Sequence, residues 1–200
     1  LPDLLDPRAK LLRDWSGSPM VMMEGIDESF DAAVFIGYHA RAGTADAIID
    51  HTSTGNVTDF SINGRSLPEA GFNALMAGHF GVPVVFVAGD QAVVDQVIEL
   101  FPGVGTFATK MGMGAASLGL HPEVAREGIR AGVARAVGNL DAAEPFTMAK
   151  PYTLVLRLKN EASVYNGSFF PGARRTGDWE LTFSSENIFE VMYAFNVMKR

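Results

Sequence analysis

The sequence predicts an α/β protein: a three-layer α/β/α domain with a mostly parallel sheet over residues 1–105, and a smaller α+β sandwich domain over residues 106–200. Two short apolar runs, Ala33-Val-Phe-Ile-Gly37 and Val82-Pro-Val-Val-Phe-Val-Ala-Gly-Asp90, read as strands buried on both faces of a parallel sheet. A helical pattern follows each run, and strand–helix–strand–helix order is that of an α/β layer. Beyond them the apolar residues begin to alternate one in two, the period of a strand with one buried face.

Between the two buried strands, Val57 to Ile62 fits an extra strand closed by the Asn63-Gly64 turn signal. Pro68 to His79 reads as a helix: Pro68 suits its first turn, Phe72, Leu75 and Met76 share a face, and Gly81 ends it. Pro83 is tolerable only at the start of the second strand. Asp90 can cap a helix whose Val93, Val94, Val97, Ile98 and Phe101 line one side, stopped by Pro102-Gly103. A domain boundary is expected near Pro102 to Lys110. Pro122 to Gly138 reads as a long amphipathic helix with Val124, Ile129, Val133 and Val137 as its stripe, and Asp141 to Pro151 as a connector. Leu154, Leu156 and Leu158 alternate along a strand from Tyr152. Pro171-Gly172 marks a turn and Trp179 to Phe183 alternates again. A final helix spans Glu186 to Arg200, capped by Ser184 or Ser185, its stripe Ile188, Phe189, Met192, Phe195 and Val197 or Met198.

Composition narrows the chemistry. Of 200 residues, 23 are Asp or Glu and 16 Lys or Arg, a net charge of −7 that argues against nucleic-acid or anionic-membrane binding. There is no cysteine, which removes disulfides, thiolate metal sites and a cysteine nucleophile. The longest nearly uncharged apolar stretch, Gly81 to Gly89, is about half of what a membrane helix needs. No secretory signal is visible, so a cytoplasmic location is expected. The chain begins at Leu1, and Leu1-Pro-Asp-Leu-Leu5 carries no helix or strand pattern, so residues ahead of Leu1 are expected.

Oxygen and imidazole groups therefore carry whatever chemistry there is. In an open α/β sheet, ligands bind beyond the carboxyl ends of the strands. Gly37-Tyr-His-Ala-Arg41 lies at such an end, Asp50-His51-Thr52-Ser53 follows, and Glu69 opens the next helix, where a carboxylate suits the helix dipole. His39, His51 and Glu69 are the donor types that zinc accepts. His79 and His121 read instead as histidines at helix ends. Gly37 to Thr44 lacks the lysine of a phosphate loop, and Gly112-Met-Gly114-Ala-Ala-Ser117 reads as packing or a turn. Lys110 reads as a solvated cation. Neither a serine-hydrolase elbow nor a His-Glu-x-x-His helix occurs.

Phe35-Ile-Gly-Tyr-His-Ala-Arg-Ala-Gly-Thr44, Asp50-His-Thr52, Ile62-Asn-Gly-Arg65, Glu69-Ala-Gly-Phe-Asn-Ala74 and Val82 to Asp90 occur in one order. Together with Thr109-Lys110, Leu120-His-Pro122 and Pro171-Gly-Ala-Arg-Arg-Thr-Gly177, they resemble the zinc-dependent D-aminopeptidases of the dipeptide-transport-operon type over nearly the whole chain. The resemblance implies a two-zinc site in which His39 and Glu69 are metal ligands and His51 is the catalytic histidine. It implies short peptides with an amino-terminal D-residue, such as D-alanyl peptides, as substrates. It also implies a ring-shaped homo-oligomer of stacked pentamers. Two departures stand out. The family's Asp-x-Glu-Gly and Asp-Ser-His-type ligand motifs are absent, with Met23-Glu-Gly25 only mimicking the first. The His39–His51 spacing is one residue longer than the family pattern. On the sequence alone, two alternatives stay open: a non-catalytic peptide-binding or assembly module of this fold, and a metal-dependent hydrolase of another small amide.

Overall fold

A computed structural model of the protein describes residues 4–200; the patternless start Leu1-Pro-Asp-Leu-Leu5 lies partly outside the described residues. After a short 3-10 turn at Val21–Met23, the elements are β1 (Ala33–Tyr38), β2 (Val57–Ile62), β3 (Arg65–Ser66), α1 (Glu69–His79), β4 (Val84–Asp90), α2 (Gln91–Leu100), β5 (Gly105–Met113) and β6 (Ala116–Gly119). They continue with α3 (Pro122–Val137), a 3-10 turn at Leu140–Ala142, β7 (Tyr152–Leu158), α4 (Glu161–Gly167), β8 (Arg174–Gly177), β9 (Glu180–Ser185) and α5 (Ile188–Met198).

Two sheets result. The first, in order β1-β4-β5-β6, is parallel except for its last pair. The second, in order β3-β2-β7-β9-β8, is antiparallel throughout. The first is sandwiched between helices, as predicted. Phe86 and Phe107 occupy the space that side chains at Gly132 and Gly128 of α3 would fill, while a side chain at Gly89 would strike Val93 of α2. Residues one apart on a strand face opposite ways, so α2 and α3 cover opposite faces. α4 and α5 pack on β7 and β9 of the second sheet. α1 touches both β1 and α5 and is buried from Glu69 to Gly78, so its predicted single apolar face becomes a buried circumference. Phe60, Phe72 and Phe195, from β2, α1 and α5, meet with centroids 4.7–6.0 Å apart, Phe60 and Phe195 edge to face and the other two pairs tilted, and join the layers.

The sheets interleave along the chain. Residues 57–66 belong to the antiparallel sheet, whereas β5, β6 and α3 complete the parallel layer. The expected boundary near Pro102 to Lys110 therefore falls inside β5, which pairs with β4 from Phe86↔Gly105 to Asp90↔Lys110. The sequence of β5, Gly-Thr-Phe-Ala-Thr-Lys-Met-Gly-Met, is glycine-rich and only half-buried, and so lacks the apolar run of a central strand. β8 and α4 are likewise short and were not legible. The buried stripe of α3 also differs from prediction. Val124 and Val137 are exposed, and the helix turns Gly128 and Gly132 to the sheet, because the rings of Phe107 and Phe86 fill the gap. α5 is capped by Asn187, whose side chain accepts from Phe189 N, rather than by Ser184 or Ser185. His79 and His121 stand at helix ends, and His121 caps α3. Gly114 turns the β5–β6 hairpin at φ +59°.

Candidate metal centre

β1 delivers the first group. Gly37 lies at φ +82°, and the β1–β4 register shifts between Ile36 and Tyr38. This bulge needs a residue free of a Cβ penalty and re-aims the strand end. His39 follows directly. A side chain at Gly89 would lie 2.0 Å from Tyr38 O, so bare backbone at Gly89 lets β4 close against β1 at this point. The His39 ring contacts Ala40 O through Nδ1 at 3.2 Å. A carbonyl only accepts, so Nδ1 carries the proton, and in the neutral ring Nε2 keeps a free lone pair, the usual state of a metal-binding imidazole.

The 39–56 loop brings the second group. It is pinned from α2: Asp90 Oδ2 accepts from Ile48 N at 3.1 Å while Asp90 Oδ1 caps the helix at Val93 N, 2.9 Å. Gln96 accepts from Arg41 N at 3.1 Å and donates to Thr44 Oγ1 at 2.9 Å. Thr52 is fully buried and accepts from Ala42 N at 3.1 Å. Ser53 adopts the left-handed conformation, φ +67°, uncommon outside glycine, and its N–H donates to Glu69 Oε1 at 2.8 Å. These bonds hold His51 against the start of α1.

The three predicted groups meet. Atoms of His39, His51 and Glu69 lie within 4.8 Å of one another. His39 Nε2 is 3.6 Å and His51 Nε2 3.7 Å from Glu69 Oε1, and the two rings meet edge to face with centroids 4.6 Å apart. Those separations exceed a hydrogen bond. They match the edge of a coordination tetrahedron, about 3.3 Å between donors bound at zinc distances of about 2.0 Å. The donor set therefore fits a zinc ion. Burial distinguishes the members: the side chains of Glu69 and His39 are 10% and 18% exposed, that of His51 40%. Beneath them Tyr38 stacks on Phe35 at 4.6 Å and accepts from the fully buried Asn73 at 2.9 Å. Burial pushes the Tyr38 hydroxyl well above its usual range, which keeps it protonated.

His39, His51 and Glu69 line a cleft of about 490 Å³ together with Ser53 and Lys199. A second cleft of about 440 Å³ sits at the other end of the strands, near Val84 and Gly105. Its lining contains no imidazole, whereas the candidate metal ligands line the first.

The sequence matches the model of the D-aminopeptidase family, peptidase family M55, over residues 1–197. The chain belongs to this family. Its relatives include the D-aminopeptidase of Bacillus subtilis (strain 168), to which it is 34% identical over 198 residues, 97% of this chain and 71% of the relative. A solved structure described as the Zn-dependent D-aminopeptidase DppA from Bacillus subtilis, a self-compartmentalizing protease, superposes with a TM-score of 0.93 at 32% identity. That match covers 99% of this chain and 72% of the relative's. The α/β architecture and the resemblance read around His39 are those of the D-aminopeptidase family.

Within this family member, several groups that build the site carried no sequence signal. Asp90 was legible as a helix cap but not as the anchor of the 39–56 loop. Gln96 and Ser53 act through backbone groups far away in the chain, and Lys199 reaches the cleft from the last turn of the described chain. A longer His39–His51 spacing still brings both rings to one carboxylate oxygen. Among the described residues, no helix is long and apolar enough to cross a membrane.

Proposed function

We propose that this protein is a zinc-dependent D-aminopeptidase that cleaves the first peptide bond of short peptides beginning with a D-residue, such as D-alanyl peptides. His39 and Glu69 hold metal and His51 is the catalytic imidazole. The proposal places two zinc ions per subunit, a cytoplasmic location, and assembly as a homo-oligomeric ring of stacked pentamers. The observation that carries it is the convergence of His39, His51 and Glu69 within 4.8 Å in a chain of the D-aminopeptidase family.

Bound zinc would supply Lewis acidity and bring the pKa of water towards neutrality. The chain's own groups do the rest. Glu69 and His39, the less exposed pair, present one oxygen and one lone pair in a fixed arrangement. The Ser53 N–H fixes the orientation of the Glu69 carboxylate, and the Ala40 carbonyl fixes the His39 tautomer. His51 is the member open to the cleft, as expected of a group that must meet substrate. Its imidazole can stabilise the oxyanion formed on the scissile carbonyl, or donate a proton to the departing amine.

Hydrolysis of D-alanyl against L-alanyl p-nitroanilide tests the reading. The zinc-loaded protein is expected to release p-nitroaniline from the D-substrate preferentially. A chelator is expected to abolish this, and added zinc to restore it. Equal rates on both enantiomers, or activity indifferent to chelation, would overturn the assignment.

A further inference from the structure

Lys199 stands in the wall of the same cleft as His39, His51 and Glu69. Its Nζ donates to Ser53 Oγ at 2.6 Å and to Asn196 Oδ1 at 2.7 Å, and lies 4.6 Å from the centre of the Phe195 ring. An ammonium has three donors, and two are used. Among the described residues none of the ion pairs within 4.0 Å involves Lys199, and the charges that act on it, Glu69 and Arg200, do so from further away. Arg200 adds a second cation to the same wall, in a chain of net charge −7. A half-buried ammonium with no carboxylate in direct contact is costly, and burial lowers the pKa of Lys199 to about 8 against the attraction of Glu69. Such a group is poised for an anion that arrives with the ligand.

Ser53 sets the scale. Its Oγ accepts from Lys199 while its N–H donates to Glu69 Oε1 at 2.8 Å, so one residue spans from the ammonium to the metal-site carboxylate. The ammonium is therefore within about 9 Å of that carboxylate. In an extended peptide, successive carbonyl carbons are about 3.5 Å apart. With its scissile carbonyl at the metal site, a dipeptide brings its terminal carboxylate within reach of Lys199, whereas a tripeptide carries it about one residue further.

We infer that Lys199 is the subsite for the free α-carboxylate of the residue released behind the scissile bond, making dipeptides the preferred substrates. Resting on the D-aminopeptidase reading, the inference names the part of that site which selects peptide length and the free carboxyl terminus.

The test compares D-alanyl-D-alanine with its carboxamide in the zinc-loaded full-length protein, wild type and Lys199→Met. A parallel titration of the zinc-free protein by calorimetry uses the reduced-bond isosteres of the two ligands, which cannot be cleaved. In wild type, the free acid is expected to exceed the carboxamide at least tenfold, both in kcat/KM and in affinity of the isosteres. In Lys199→Met each ratio is expected to fall towards one, and in Lys199→Arg to recover in part. Because each ratio is internal to one protein sample, a general loss of folded enzyme does not imitate the result. A wild-type ratio near one overturns the inference without any variant, and so does a ratio that persists in Lys199→Met. If neither D-alanyl substrate is cleaved, the D-aminopeptidase reading fails, while the isostere titration still decides the role of Lys199.

Discussion

Glu69 Oε1 is shared among three neighbours: the Ser53 N–H and the Nε2 atoms of His39 and His51. The two imidazoles are nearly equidistant from it, so the proposed division of their roles rests on exposure and not on distance. Replacing His39 with alanine removes a half-buried donor and is expected to lose metal, measured by metal analysis of the purified protein. His51→Ala is expected to keep its metal and lose about 10²–10⁴-fold in turnover, the usual contribution of a positioned acid or base. Equal metal loss in both variants would make His51 a ligand as well.

The element that controls the site is the junction of β4 with α2. Asp90 closes two bonds at once, the α2 cap to Val93 N and the loop anchor to Ile48 N, and it is almost fully buried. Asp90→Ala removes the cap, at a cost of about 1 kcal/mol, and leaves the Ile48 amide without its partner, at a comparable cost. An expected loss of about 2 kcal/mol lowers Tm by roughly 5 °C for a chain of this size, and thermal melts will show it. Amide exchange at Ile48 is expected to quicken more than exchange in β7, because the loop is released while the antiparallel sheet is not. At this scale the bounds of β1, β4, α1 and α2 were legible to within a residue or two, since apolar runs and caps are local signals; the burial of β1 was not, because it is the edge strand of its sheet with Val34 and Ile36 exposed rather than a strand buried on both faces. β5 was not, because its nine residues include two glycines and a lysine and its place in the sheet is set by pairing with β4.

For the whole molecule, the β5–β6 hairpin leaves Met111, Met113, Leu118 and Leu120 exposed, Met113 and Leu118 each at 61%. Apolar side chains grouped on one hairpin mark a surface that another chain can cover. If the proposed ring closes through this hairpin, Met113→Glu combined with Leu118→Glu is expected to yield a smaller species in sedimentation velocity with the secondary structure intact by circular dichroism. An unchanged mass would move the interface elsewhere on the chain.

The sequence by itself determined the α/β class, the positions of the strands β1 and β4 and most helices, and His39, His51 and Glu69 as the candidate site residues that the structure brings together. These rest on periodicity, caps and a motif contiguous within each segment, all of which are written locally. Tertiary structure alone decided that residues 57–66 join the antiparallel sheet while residues 105–137 complete the parallel layer. It alone decided that α3 approaches through glycines, and that Asp90, Gln96, Ser53 and Lys199 converge on one loop and cleft. Those outcomes depend on contacts between residues far apart in the chain, 42 positions for Asp90 and Ile48 and 146 for Ser53 and Lys199, where the bond is made by whatever group the packed layers bring within reach, and no local pattern encodes it.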